Sequence, residues 1–544
     1  MHLRTLALLA LLCTLTTRAQ VWNWAVDAGS GGNTDFCYAI ATDSRGNSYW
    51  TGTIGGPADF GCASFSPTQI SGVLAKYDST GTCLWARLFT NTFDDTWSYG
   101  IAIDAQDRIY VTGSYYGNED FGNGVVLPSG GLDDIFLARF DTSGTCLWAR
   151  RAGGGGADEA RDVVVDDAGR IYIAGRAGGT TITFGTVSIP NPSNFRQVVV
   201  ACYDSTGTVQ WAKASSGTGQ SKTAQGISTA NGKLYITGQV GFSAATFDGL
   251  LLMSAANASG AYVLALDTAG NGLWSQPLPG GDNEGMALSV DSIGNVFVTG
   301  RFIGTLQWPD GQSATSATTT TDDIFLLRMD TSGTYHWGET AGGPNRDVGF
   351  DICTDGLGNA YAAIQYSSTI DFMGTTVAAY GGEDILVARV DMWGNLTWAK
   401  TGGTGLRDVP LAIHRGRAGS RPIYTGGYFW GTVTYGNSTI DDVLNGDAMM
   451  IQLSDTTQVD FSTALRAPQA AAWQLYPVPA TDRLHVNAPE PLRTVVVYDA
   501  LGATVAVPRE GSNTLLVAAL HPGMYLLRAT TVGGAVYTLR FAKE

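Results

Sequence analysis

The side chains able to do chemistry in this sequence are carboxylates and aromatics, because the usual nucleophile and metal signatures are missing. There is no Gly-x-Ser-x-Gly elbow, no His-Glu-x-x-His pair and no Cys/His spacing suited to zinc. The histidines beyond the leader are His336, His414, His485 and His521. His336 lies beside a recurring Trp and reads as a strand-surface residue, while His414 has no evident partner. The acidic candidates form two sets: Asp134, Asp323, Asp384 and Asp447, and Asp35, Asp158 and Asp347. Gathered on one face they would bind cations or sugars; the alternative is loop capping, in which a carboxylate accepts backbone N–H groups. Their recurrence argues against catalysis, since glycoside hydrolysis needs one carboxylate pair at a defined separation. The aromatic candidates for ligand binding are Trp97, Tyr115, Tyr116, Trp308, Trp393 and Trp430, with Phe93 and Phe429, all of which interrupt a regular text. Aromatics in loops stack on sugars or anchor a partner; the competing role is packing. No catalytic residue and no cofactor site emerge, and calcium is the one cation that acidic loops would suit.

The regular text is the frame for these residues. Trp24, Trp85, Trp148, Trp211, Trp274, Trp337 and Trp398 recur at intervals of 61 or 63 residues in nearly the same surroundings. A fixed long period marks an array of one small unit. Each unit carries four short runs of β-branched and aromatic residues; in the second these are 99–104, 108–113, 135–141 and 146–150. Asp-x-x-Gly turns join runs one and two (Asp43, Asp166, Asp291, Asp355, with Asp104 heading the same turn with Asp107 in place of Gly) and runs three and four (Asp78, Asp141, Asp204, Asp267, Asp330, Asp391). The Asp carboxylate accepts N–H groups of its own turn and the Gly takes the positive-φ position. Four strands per unit and seven units predict an all-β fold, a seven-bladed β-propeller of four-stranded blades over residues 20–465. The unit exceeds the blades of ~40–50 residues in common propeller repeats, and the excess lies in the Gly-rich link before run three, such as 117–131. Two segments compete to close the ring, the run around Trp24 and that around Phe461; this reading favours the first.

Residues 1–19 read as a signal peptide, with Arg4, an apolar core from Leu6 to Leu15 and a small-residue end at Ala19. That core is too short to span a bilayer, and no other segment approaches ~20 apolar residues. Beyond the leader six cysteines remain, at 37, 62, 83, 146, 202 and 353, which permits disulfides in an exported chain. Cys83 and Cys146 hold the same place in neighbouring units, too far apart to bridge, so pairs among Cys37, Cys62 and Cys83 are favoured. A formal charge of −16 excludes nucleic acid as the partner and suits a soluble exported surface.

After Phe461 the period stops. Residues 466–472 read as a linker, and 473–544 as a small β-sandwich built from short strands. The motifs there are Tyr476-Pro477-Val-Pro479-Ala480, Tyr498-Asp-Ala-Leu-Gly502 and Leu520-His-Pro-Gly523-Met-Tyr525-Leu-Leu. Together they resemble the C-terminal sorting domain of the type IX secretion system of Bacteroidota, with Val478 where that family has Asn. The resemblance implies handling by the secretion machinery through residues 473–544 and delivery, via the periplasm, to the cell surface or the medium. Residues 22–461 in turn resemble the propeller repeats of bacterial surface proteins, which implies a fold and no single activity. The expectation is a non-enzymatic module binding a glycan or a surface protein. An extracellular polysaccharide hydrolase or lyase, or a structural spacer, are the alternatives.

Overall fold

The computed structural model describes residues 20–29, 35–91, 95–218, 222–241, 244–253, 259–418, 421–442 and 445–455, and in the C-terminal unit 474–476, 480–487, 492–499, 504–511, 513–521, 523–531 and 536–543. Every secondary-structure element among them is a β-strand. The leader, the linker, Phe93, Phe461, Pro477, Pro479 and Gly502 lie outside the described residues.

The first unit is a seven-bladed propeller. Blade 1 runs Phe36–Thr42, Ser48–Ile54, Ser71–Tyr77, Cys83–Leu88 from the inside out, all antiparallel. Blade 2 repeats this with Thr96–Ile103, Ile109–Tyr115, Asp134–Phe140 and Cys146–Gly153. Between blades 4 and 5 one strand, Gly272–Val290, is first the outer strand of the former and then the inner strand of the latter. Blade 7 takes three strands from residues 408–454 and its outer strand, Val21–Ala28, from the other end of the chain. The N-terminal run thus closes the ring and covers the edge of Asp447–Ser454, which would otherwise be open to another strand.

The recurring Trp and Gly form one device. The Gly of each third-to-fourth-strand turn has positive φ, from 78° at Gly207 to 87° at Gly333. A Cβ there would strike the Trp ring of the preceding blade, at 2.9 Å for Gly81 against Trp24 and 2.8 Å for Gly333 against Trp274. With no Cβ, the ring lies flat on the turn and donates its indole N–H to a carbonyl of that turn, as Trp85 does to Thr142 at 3.1 Å and Trp211 to Thr268 at 3.0 Å. Within its own blade the ring meets an aromatic of the second strand, Tyr49 for Trp85 and Tyr424 for Trp24. Trp148 and Trp398 are the exceptions, with no partner for the indole nitrogen among the described residues; Trp148 still rests on the Gly207 turn, whereas Trp398 has no such turn to meet. Blade 7 lacks that turn because its fourth strand comes from the N-terminus. The Asp of each turn accepts the N–H groups two and four residues on, as Asp78 does from Thr80 and Thr82. These carboxylates hold turns.

The core lies between blades. One cluster joins Tyr172, Val198 and Val200 of blade 3 to Ile227, Leu234 and Leu264 of blade 4, all fully buried or nearly so. The long Gly-rich links are hairpins, such as Thr181–Phe184 with Val187–Pro190 and Thr432–Tyr435 with Ser438–Asp441, which accounts for the length of the unit. Cys62 and Cys83 form a disulfide within blade 1, while Cys37, Cys146, Cys202 and Cys353 are free. No helix among the described residues is long and apolar enough to cross a membrane.

The C-terminal unit has two four-stranded sheets, one holding Arg483–Asn487 and Thr514–Leu516, the other Leu492–Tyr498, Gly523–Thr531 and Val536–Lys543. Its own core includes Ala480, Leu484, Leu515, Leu527 and Phe541. Tyr525 is buried there, stacked on Phe541 at 5.5 Å and donating its hydroxyl to the carbonyl of His521 at 2.9 Å. Gly523 begins the strand that carries it. Tyr476 is exposed against His485.

Candidate ligand-binding site at the channel mouth

The inner strand of every blade carries a one-residue bulge at the same place, at Tyr38, Tyr99, Arg161, Gln225, Met286, Phe350 and Leu411. A bulge re-aims the side chain it carries. Inner strands line the channel of a propeller, so these seven residues differ in type where the ring is most regular in backbone. They lie at the strand ends away from the Asp-x-x-Gly turns, at one mouth of the channel.

The mouth has an aromatic half and an ionic half. On blades 1, 2 and 7, Phe36 stacks on Tyr38 at 5.2 Å and meets Tyr428 edge-on at 5.1 Å. Tyr38 meets Tyr99 at 5.3 Å, and Trp97 lies parallel to Tyr99 at 6.3 Å. Phe36, Tyr38, Trp97 and Tyr99 are only half-buried. Burial pushes the Tyr99 phenol up to about 12, so it stays a neutral donor. Arg161 of blade 3 caps the crescent, its guanidinium 4.2 Å from the centre of the Tyr99 ring.

From there the contacts are ionic. Arg161 pairs with Glu159 at 2.5 Å, and Arg176 closes on the other oxygen. Burial alone would raise the Glu159 carboxyl; Arg161 and Arg176 outweigh it and hold the group below its ordinary value. Gln225 donates to Glu284 at 2.6 Å, and Arg301 bridges Glu284 at 2.8 Å and Asp322 at 2.7 Å. Arg346 reaches Asp322 at 3.0 Å. Arg407, paired with Glu383, lies 5.3 Å from the Tyr428 ring and returns the circuit to the aromatics. Five arginines thus share four carboxylates, which leaves oriented hydrogen-bonding groups with little net charge.

Further along the inner strands, Asp162 and Asp351 are spent on the backbone. Asp162 accepts from Val163 at 2.7 Å and from Ile227 of the next blade at 2.9 Å. Asp351 does the same with Ile352 and Ile413. Burial pushes both up to about 7. His414, expected to be unpartnered, lies 3.1 Å from the Thr42 hydroxyl of blade 1, and burial, aided by Arg417, pushes it down to about 3.

The six aromatics singled out in the sequence scatter. Trp97 belongs to the mouth. Tyr116 is exposed on the same side, its N–H bonded to the Asp95 carbonyl at 3.3 Å. Trp430 is half-buried beyond the second strand of blade 7, its carbonyl accepting from Thr404 at 3.0 Å. Trp393 is 58 % exposed, on an Asp-x-x-Gly turn at the opposite face. Tyr115 and Trp308 correct the expectation of exposed loops: Tyr115 is fully buried with its hydroxyl on the Pro128 carbonyl, and Trp308 stacks on Tyr335 in the blade 5 core. Phe429 is likewise buried. Phe36, Tyr38, Tyr99, Tyr428 and the arginines went unnoticed in the sequence. Aligning the units at their bulges would have shown one column that holds six residue types in seven copies.

Residues 474–543 match the family model described as a secretion system C-terminal sorting domain, and residues 24–61, 84–125 and 147–181 match that of a beta-propeller repeat. An uncharacterized WD repeat-containing protein of Acanthamoeba polyphaga mimivirus is 28 % identical over 170 residues, 28 % of this chain and 12 % of that protein. The chain therefore spans about an eighth of the relative it matches. Among solved structures, a fungal alcohol oxidase of the AA5 family in complex with copper is 13 % identical, covering 96 % of this chain and 99 % of its own with a TM-score of 0.41. A protein from Lactobacillus plantarum is 13 % identical, covering 70 % and 94 % with a TM-score of 0.35. Neither likeness lends this chain an activity. The propeller repeats and the sorting tail together identify an exported β-propeller protein, carried through the periplasm to the cell surface or the medium by a type IX secretion sorting domain.

Proposed function

We propose that the propeller is a non-enzymatic carbohydrate-binding module whose site is the channel mouth. The half-buried crescent of Phe36, Tyr38, Trp97 and Tyr99 carries this reading. Flat, partly exposed rings beside fixed hydrogen-bonding groups suit a sugar, which offers an apolar face and a rim of hydroxyls. The matched arginines and carboxylates opposite supply donors and acceptors without strong charge selection. The carboxylates along the channel that a hydrolase would need are held by backbone N–H groups at Asp162 and Asp351.

A glycan array probed with the purified full chain, followed by calorimetry on the best hit, tests this. Trp97→Ala and Tyr38→Ala should each weaken Kd about tenfold and leave the melting temperature nearly unchanged. An array without signal, or binding indifferent to both substitutions, overturns the site. Release of products from a polysaccharide by the purified chain overturns the binding-only role.

A further inference from the structure

The junction of blades 6 and 7 holds three buried oxygens without a partner among the described residues: Asp384 Oδ1, Asp408 Oδ1 and the Tyr435 hydroxyl. Asp384 opens the third strand of blade 6 and Asp408 the first strand of blade 7. The Glu383 N–H donates to the Leu406 carbonyl at 3.0 Å, and Glu383 forms a parallel bridge with Arg407, which sets the two aspartates side by side. Both are 0 % exposed, and Tyr435 is 1 % exposed. One oxygen of each carboxylate is satisfied: Asp384 Oδ2 accepts from the Tyr380 N–H at 2.5 Å, and Asp408 Oδ2 accepts from the Thr404 N–H at 2.6 Å and its hydroxyl at 2.8 Å. Two adjacent glycines lie against Asp384 and Tyr435. A Cβ on Gly403 would lie 2.0 Å from Asp384 Oδ1, and one on Gly402 would lie 2.5 Å from the Tyr435 ring.

Two of the other junctions contain their own cation; at the blade 5/6 junction, with Asp323 and Asp347, the position of Arg151 is the neutral Thr340, but Phe372 stands there in the place of Tyr435 and offers no oxygen. Between blades 2 and 3 the equivalent aspartates are Asp134 and Asp158, and Arg151 places a guanidinium 2.9 Å from Asp134 Oδ1. Between blades 3 and 4 the pair is replaced by Gln197 and Lys222, both buried, and the Lys222 ammonium and the Gln197 amide donate to the same Gly217 carbonyl, each at 3.1 Å. At blade 6 the position of Arg151 is Thr401, a neutral residue. Two ionised carboxylates buried together without a counter-charge are costly.

We infer that the blade 6/7 junction is a calcium site, with Asp384, Asp408 and the Tyr435 hydroxyl as its side-chain ligands. Two carboxylates match a divalent charge, and oxygen-only ligands suit a hard cation whose remaining positions are taken by backbone carbonyls and water. The site adjoins the ionic side of the channel mouth through Glu383 and Arg407, but its ligands are not among the groups that line the mouth.

The full chain, freed of metal with a chelator, is titrated with calcium chloride while melting and calorimetry are followed. Saturating calcium should raise Tm by about 3 °C. The double variant Asp384→Asn, Asp408→Asn should lose that response and melt above the wild type in chelator. Tyr435→Phe, which removes a single oxygen, should weaken calcium several-fold and reduce tyrosine-sensitised terbium luminescence. A wild type that ignores calcium at neutral pH means that the two carboxyls share a proton instead, and this overturns the site. So does an undiminished calcium response in the double variant or, should that variant not fold, in Tyr435→Phe.

Discussion

At the scale of single residues, this fold rests on positions where one atom more is too many. Gly207 has φ +78°, and a Cβ there would lie 3.0 Å from both the Trp148 ring and the Arg150 Nε that donates to the Gly207 carbonyl. Gly207→Ala should therefore cost about 2 kcal/mol, part from the left-handed backbone and part from lifting Trp148 off the turn. A lower denaturant midpoint at unchanged slope would register it; an unchanged midpoint would mean that the ring does not rest on this turn. Buried carboxyls set the pH response. Asp158, Asp162, Asp347, Asp351 and Asp408 are pushed up to about 7 by burial, well above 3.8 for the free side chain. The folded chain then holds protons that the unfolded chain releases, so stability falls as pH rises from about 4 to about 7 and levels off above that. Turn carboxylates such as Asp78 and Asp141, where hydrogen bonds outweigh the slight desolvation, are shifted down and act in the opposite sense only at lower pH. In chelator, Tm should thus be higher at pH 5 than at pH 8, and the reverse order would contradict the burial of these groups.

At the scale of strands and turns, the closing strand Val21–Ala28 matters most. Its Trp24 donates to the Ser79 carbonyl of blade 1 at 3.1 Å and belongs to the core shared by blades 7 and 1. A chain lacking residues 21–28 leaves Asp447–Ser454 as a bare edge and removes the cover from that core. It should melt well below the parent and associate, as size-exclusion chromatography would show; a monomer of unchanged Tm would mean that another segment closes the ring. Blade count, turn positions and this closing strand were legible because they depend on local chemistry repeated seven times: alternating apolar runs, Asp turns and a Gly that must have positive φ. The site was far less legible. Tyr38, Tyr99 and Arg161 lie inside strands, and no local signal says that a bulge turns them into the channel. Tyr115 and Trp308 misled for the complementary reason. They break the text because the hairpins at 118–128, against which Tyr115 packs, and at 305–315, in which Trp308 lies, differ from blade to blade. Asp408 escaped attention because its unit is the least regular, although it completes the set begun by Asp35, Asp158 and Asp347.

At the scale of the whole chain, the propeller and the sorting domain are separate units. The propeller closes its ring with its own strands, Val21–Ala28 against Asp447–Ser454. The sorting unit has a core of its own around Leu484, Leu527 and Phe541. Its motif residues divide by role: Ala480 and Tyr525 are buried in that core, whereas Tyr476 is 53 % exposed and free to be read by a partner. A net charge of −16 suits a protein that works outside the cell, where an acidic surface discourages self-association. Two separate cores predict that the functions come apart. A chain ending before residue 473 should fold, retain the melting behaviour and any glycan binding of the propeller, and accumulate in the periplasm. Cell fractionation with antibody against the propeller reads this directly, and the purified truncated chain supplies the control for folding. Delivery of the truncated chain to the surface would show that the address lies in the propeller; loss of its fold would show that the propeller needs the tail as structure.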